Sequence, residues 1–205
     1  VAEVRSPQGG DNLFTNSIVA VDADTGRYAW HYQVTPAETW DYDATSPLML
    51  ADLAIDGVMH RALLQVSKNG FFYALDAVTG KLLRARNYTA VSWATGIDMR
   101  SGRPIEVPEA RFGKTGKAVV VQPGGQGAHS WHPMAFSRRT GLVYTPVVET
   151  SQGFAPDPNY TPREGAANAG TGRAPANVYE GVHADVPRTS RAYLIAWDPV
   201  DTREV

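Results

Sequence analysis

With 205 residues, 43% of them apolar, the chain is long enough for one or two domains and too apolar for wholesale disorder. A formal net charge of −2, with no Lys/Arg run interleaved with aromatics, gives no sign of a nucleic-acid partner. The lack of cysteine excludes thiolate zinc sites and disulfides within the chain, and no apolar run approaches the length of a membrane span.

The first predicted element is "IVAVDADTGRYAW", Ile18 to Trp30: an apolar strand, a polar turn and a second strand. Asp and Thr side chains bond the turn backbone there, and Gly supplies positive φ, so the segment reads as a β-hairpin. Next comes "ETWDYDATSP", Glu38 to Pro47. Read as an extended strand, it points Asp41 and Asp43 to one face and Trp40 and Tyr42 to the other. Two acids on one face repel unless a cation sits between them or one holds a proton, and oxygen-preferring cations such as calcium want such pairs. The alternative is a pair of solvent-exposed acids beside buried aromatics.

"VSKNGFFYALD" places Lys68 and the Asn69-Gly70 turn signal just before an apolar strand. Lys68 at that strand's mouth either points at a ligand oxygen or is a solvated turn lysine. The hairpin pattern then recurs as "FYALDAVTGKLLR", Phe72 to Arg84. "GGQGAHSWHPM" follows, with glycines that allow close backbone approach and His129, Trp131 and His132 at the entry to the next strand. A Trp platform for a planar ligand fits this segment better than a metal pair, with core packing as the other reading.

Two further hairpin units are "MAFSRRTGLVYTP", Met134 to Pro146, and "LIAWDPVDTREV", Leu194 to Val205. The turns fall at Thr25-Gly26, Thr79-Gly80, Thr140-Gly141 and Asp201-Thr202, successive steps of 54, 61 and 61 residues. A lone hairpin buries too little to stand alone, so repeated ones stack; a period near 50–60 residues built from short strands predicts an all-β fold made of propeller blades. No helix of useful length is predicted. The loop region between the last two units, "VVETSQGFAPDPNYTPREGAANAGTGRAPANVYEGVHADVP", is expected to be a structural arm, with a functional lid as the alternative. Starting at Val1 and stopping at "DPVDTREV", the chain reads as a fragment.

Taken together, "PQGGDNLFTNSIVAVDADTGRYAWHYQVTPAETWDYDATSPLMLADL", "KNGFFYALDAVTGKLL", "SWATGIDMRSGRPIEVPEARF" and "GAHSWHPMAFSRRTGLVYTPV" resemble the pyrroloquinoline-quinone (PQQ) dependent alcohol dehydrogenases, in their quinohaemoprotein branch. The resemblance covers nearly the whole chain, taken as one partial propeller domain, 1–205. It implies an eight-bladed β-propeller in the full-length family, of which this chain holds about three blades. Blades there lock through an Ala-x-Asp-x-x-x-Gly-x-x-x-Trp motif; Ala20, Asp22, Gly26 and Trp30 fill it, while Arg84 replaces the Trp of the second unit and Thr202 the Gly of the fourth. These departures are expected to weaken the lock locally.

By the same resemblance Asp41 is the catalytic base and a metal ligand, and Lys68 contacts the quinone oxygens. Trp131 lies at the cofactor's edge, with Ser130 where Asn is common. Asp43 occupies the place of an extra acid in relatives that use a lanthanide. The implied cofactors are PQQ and a calcium or lanthanide ion; haem c would sit on a domain outside this chain, which has no Cys-x-x-Cys-His. The implied partners are a small alcohol and a cytochrome c electron acceptor, in the periplasm. The family's other metal ligands, a Glu and an Asn, and its adjacent-cysteine disulfide fall upstream, so the isolated piece is expected to be inactive and poorly folded. A non-catalytic propeller scaffold is the main alternative; a glycosidase is disfavoured because Asp41 and Asp43 are too near in sequence to flank a sugar bond.

Overall fold

The computed structural model describes residues 2–166, 168–180 and 190–205. In chain order its strands are β1 (Ser17–Val21), β2 (Tyr28–Gln33), β3 (Met49–Ile55), β4 (Val58–Val66), β5 (Phe71–Asp76), β6 (Leu82–Asn87), β7 (Ala94–Ile97), β8 (Pro104–Glu106) and β9 (Val119–Val121). They continue as β10 (Ala135–Ser137), β11 (Leu142–Glu149), β12 (Gln152–Pro156), β13 (Thr171–Gly172), β14 (Arg191–Asp198) and β15 (Arg203–Glu204). Two four-stranded antiparallel blades, β3-β4-β5-β6 and β10-β11-β14-β15, are accompanied by the β1–β2 hairpin, the β7–β8 hairpin and a β13-β12-β9 sheet. The chain is therefore all-β, made of propeller blades and an incomplete one.

Alternation drives each blade. In β3 Ala51, Leu53 and Ile55 point inward, and in β11 Val143, Thr145 and Val147 do. Strand β5 departs from alternation because it is buried on both sides. Phe71, Tyr73 and Leu75 face a cluster with Trp30, Trp40, Tyr42 and Trp93. Phe72 and Ala74 face a second cluster with Val143, Val147, Ile195 and Trp197. One blade is thus sandwiched between two cores, each large side chain contributing about 1.5–3 kcal/mol of burial.

One turn chemistry recurs. At Asp22 the carboxylate accepts the Thr25 amide and hydroxyl at 2.8 and 2.6 Å, and the Gly26 amide donates to the Asp22 carbonyl. Asp76 does the same with Thr79 and Gly80. A third copy, Asp98 with Ser101 and Gly102, joins β7 to β8 and was not among the predicted repeats. The flanking strands, four and three residues long, are too short to show a period.

The predicted third and fourth units prove to be two hairpins of a single blade: Thr140-Gly141 joins β10 to β11, and Asp201-Thr202 joins β14 to β15. The same turn serves any antiparallel hairpin, so its spacing alone cannot separate a step within a blade from a step between blades. Thr202 carries the left-handed φ of 52° that Gly takes elsewhere.

Neighbouring blades lock through these turns. A Cβ on Gly80 would sit 2.5 Å from the Trp30 ring, and one on Gly102 would sit 3.0 Å from the Tyr32 ring. Arg84 does not leave its lock empty. Its Nε donates to the Val200 carbonyl at 3.2 Å, in the turn of the next blade, and its guanidinium pairs with Asp56 at 2.5 Å. A hydrogen-bonding clamp takes the place of the expected tryptophan.

Gly80→Ala meets both a left-handed φ of 73° and the Trp30 ring, so it is expected to cost about 2–4 kcal/mol in a denaturant melt of the full-length protein. Gly57→Ala, at φ 79° with nothing within 4 Å, is expected to cost about 1 kcal/mol. Equal costs would show that the ring contact contributes nothing.

Candidate functional site

The β4–β5 hairpin tip, Ser67 to Gly70, carries the lysine. Asn69 is fully buried and pins the tip: its amide nitrogen donates to the Val34 carbonyl, the Thr35 hydroxyl and the Tyr73 hydroxyl at 3.1, 3.2 and 2.9 Å. Its side-chain oxygen accepts the Phe71 amide, and its carbonyl accepts the Trp93 indole N–H. Gly70, at φ 91°, closes the turn against Val91, where a Cβ would clash at 2.6 Å.

Lys68 is therefore not a solvated turn lysine. It is 5% exposed, with Gly127 lying against its stem so closely that a Cβ there would come within 2.6 Å. Its ammonium emerges between two acids, 3.2 Å from Asp43 Oδ2 and 3.6 Å from Asp41 Oδ2. The structure thus brings Asp41, Asp43 and Lys68 together.

The acids do not lie on a strand. Residues 39–47 form irregular backbone, with Asp41 in the left-handed region at φ 71°. Burial still alternates: Trp40 and Tyr42 are fully buried, while the Asp41 and Asp43 side chains are 65% and 51% exposed. Side-chain anchors replace the missing ladder. Trp40 donates its indole N–H to the Ala110 carbonyl at 3.0 Å, with the Arg111 guanidinium 4.4 Å from its ring. Tyr42 donates to the Pro123 carbonyl at 2.5 Å, and both rings pack on Trp93. A non-glycine residue at positive φ costs on the order of 1–3 kcal/mol and persists only where its surroundings over-determine it.

Burial pushes the Asp41 carboxyl above its ordinary range; Lys68 pulls it back and Asp43 pushes it up again. Glu38, which sequence reading passed over, is also raised by burial, against the opposing pull of the amides it accepts. It stands three positions before Asp41, but nothing in the one-dimensional pattern marks it as the buried acid of the group.

Ser130 and Trp131 lie on the segment that follows Gly127. The Ser130 hydroxyl is 3.4 Å from the Thr45 hydroxyl, linking this segment to the acid-bearing loop. Trp131 is 71% exposed and stacks on His132 at 4.5 Å, leaving a broad aromatic surface open. His129 is buried, its Nδ1 facing the Pro146 carbonyl and Thr145 hydroxyl, and burial pushes its imidazolium down.

A cavity of about 730 Å³ opens beside Asp41 and Asp43. Its far wall comes from the segment expected to be a structural arm: Gln152, Phe154, Tyr160, Pro162 and Asn168. The arm leaves β11 and returns in β14, which pair side by side, so it stands out from the blade and folds over the acids. Gln152 accepts the Gly125 amide at 2.8 Å, tying arm to glycine loop. The part of the expected arm that runs through 181–189 lies outside the described residues.

The donors fit a hard, oxygen-seeking cation: two exposed carboxylates beside a cavity. They supply only part of the six to eight oxygens that such an ion takes, and no cluster of three or more His, Cys, Asp or Glu occurs among the described residues. Trp131 and Ser130 line a separate, smaller pocket with His129 and His132 and are not among the residues lining the cavity beside Asp41 and Asp43.

Residues 4–96 match the family model described as "PQQ: Glucose/ethanol/alcohol dehydrogenase, beta-propeller domain". The quinohemoprotein alcohol dehydrogenase of Comamonas testosteroni is 44% identical over 202 residues, 97% of this chain and 28% of that protein. The solved quinohemoprotein alcohol dehydrogenase ADHIIG of Pseudomonas putida HK5 superposes with a TM-score of 0.89 at 44% identity, over 99% of this chain and 30% of that one. A europium-containing methanol dehydrogenase superposes at 0.76 with 28% identity, over 97% of this chain and 33% of that one. The chain spans about a third or less of the length of each of these relatives. With these matches extending over nearly the whole chain, the chain belongs to the PQQ-dependent alcohol dehydrogenase family.

Proposed function

We propose that the chain, as one propeller domain, supplies the proton-accepting and quinone-facing side of a site that oxidises a small alcohol to an aldehyde or ketone. The observation that carries this reading is the buried Lys68 ammonium set between Asp41 and Asp43 at the edge of a cavity. A scaffold has no need to bury a lysine beneath two acids at a cavity mouth.

In this reading Asp41 accepts the alcohol's hydroxyl proton, and the exposed carboxylate is within reach of a molecule in the cavity. When bound, PQQ supplies the acceptor for the hydride that leaves the alcohol carbon. Lys68 provides a fixed positive charge toward the ring oxygens, where negative charge develops. In this reading Ser130 and Trp131 would hold the ring's edge through one hydroxyl and one aromatic face. Asp41 and Asp43 would give anionic oxygens to a calcium or lanthanide ion, and the second acid would favour a trivalent ion by adding negative charge. The electrons leave to a cytochrome c, and the periplasm is the compartment that the family reading implies. No helix among the described residues is long and apolar enough to cross a membrane.

The arm sets the alcohol's class. Phe154, Tyr160 and Pro162 present apolar surface to the cavity, which suits alcohols with an apolar substituent.

In the full-length enzyme, Asp41→Asn is expected to lower dye-linked alcohol oxidation by about 10²–10⁴-fold with an unchanged melt. Lys68→Met is expected to lower it by about 10²–10³-fold. Retained turnover in Asp41→Asn would remove the proton-acceptor role. Apoenzyme titrated with light lanthanides is expected to recover more activity than with calcium, and Asp43→Ala to abolish that preference; full activity with calcium alone would remove the role given to Asp43. Tyr160→Ala is expected to raise kcat/KM for bulky alcohols relative to ethanol by several-fold, about 1 kcal/mol of discrimination.

A further inference from the structure

We propose that Glu38 is a positioning residue: its buried side chain fixes the backbone on both sides of Asp41 and so aims the Asp41 carboxylate at Lys68 and the cavity. This rests on the reading of Asp41 as the proton acceptor.

A single oxygen, Glu38 Oε1, accepts the amides of Trp40 and Tyr42, the Tyr42 bond at 3.0 Å and the Trp40 bond shorter. Those two residues flank Asp41. The anchors of Trp40 and Tyr42 described above act through their side chains and leave the peptide planes between them free to turn. Glu38 grips the backbone on both sides of Asp41, while farther along the segment Gln65 holds the Ala44 and Ser46 carbonyls. Flipping either plane would lose a hydrogen bond to a side chain that is itself buried, at 6% exposure.

The left-handed φ of Asp41 is the conformation this grip selects. With Asp41 extended, the amides of residues 40 and 42 would lie about 7 Å apart along the chain, too far for one oxygen to accept both. The grip is itself held: Arg5 donates to the Glu38 carbonyl, and while burial raises the Glu38 carboxyl, the amides it accepts and the Arg5 charge oppose that rise. On the other side the backbone is packed. A Cβ on Gly125 would lie 3.0 Å from the Trp40 carbonyl and 3.5 Å from the Asp41 Cβ. Glu38 borders the same cavity as Asp41, but its bonded oxygen is committed to the backbone, so its effect on the reaction passes through Asp41.

The test is a double-mutant cycle in the full-length holoenzyme with Glu38→Ala, Asp41→Asn and the pair. Glu38→Ala is expected to lower kcat by about 10²-fold, the effect of misplacing a reacting group by an ångström, with KM within about threefold. Glu38→Gln, which keeps an acceptor oxygen, is expected to recover most of that loss. In the Asp41→Asn background, Glu38→Ala is expected to lower the residual turnover no further, because there is no base left to aim. Unchanged kcat in Glu38→Ala, or an equal loss in both backgrounds, overturns the proposal. If Glu38→Ala does not melt cooperatively, the cycle is read on Glu38→Met, which fills the same space without an acceptor oxygen, together with hydrogen–deuterium exchange of a peptide covering residues 39–45. Faster exchange with a kcat loss confined to the Asp41 background supports the proposal, and wild-type exchange and turnover overturn it. Failure of the functional reading is distinct, because Asp41→Asn would then retain full turnover by itself.

Discussion

One buried amide side chain joins the fold to the site. Asn69 closes the β4–β5 hairpin by accepting the Phe71 amide, reaches back to Val34 and Thr35 at the exit of β2, and receives the Trp93 indole on its carbonyl. Each bond contributes about 1 kcal/mol net, but an unpaired partner in this interior would cost about 1–3 kcal/mol. The geometry is therefore all-or-none: the hairpin tip, the preceding hairpin and the Trp93 segment fit together or fail together. Lys68 is the residue next to Asn69, so the same contacts fix where the lysine's backbone sits beneath the acids.

Around this rigid tip the chain breaks its own local rules. Lysine is buried, an aspartate takes a left-handed φ, and a glutamate is buried at the start of an irregular loop. Each departure is unfavourable by itself, and each is matched by neighbouring contacts: two carboxylates for the ammonium, and backbone amides for Glu38. Departures from local preference concentrate where structure is specialised for chemistry. The blades, by contrast, follow alternation and turn preference closely.

The repeated turns, the all-β class and the pairing of apolar strands were legible because each depends on short-range physics. Asp, Thr and Gly at fixed offsets satisfy a hairpin's own backbone, whatever surrounds it. The same locality explains the misassignment of the last two units, since a turn carries no label for its place in a blade. It also explains why the partner that Arg84 finds was not visible in the sequence. Its partner, the Val200 carbonyl, lies 116 positions away and becomes a partner only when two blades stack. The arm over the cavity was hidden for another reason: its composition is that of any long loop, and only the close pairing of β11 with β14 forces it outward.

Sequence by itself determined the hairpins, the apolar faces and the types of side chain available for chemistry: two acids, one lysine and an aromatic on a glycine-rich segment. These follow from spacing and from the properties of single residues. Tertiary structure alone decided that Lys68 is buried, that Asp41 and Asp43 share its charge, and that Glu38 sits beneath them. Burial and charge pairing depend on which distant segments exclude water from a group, and no local pattern records that.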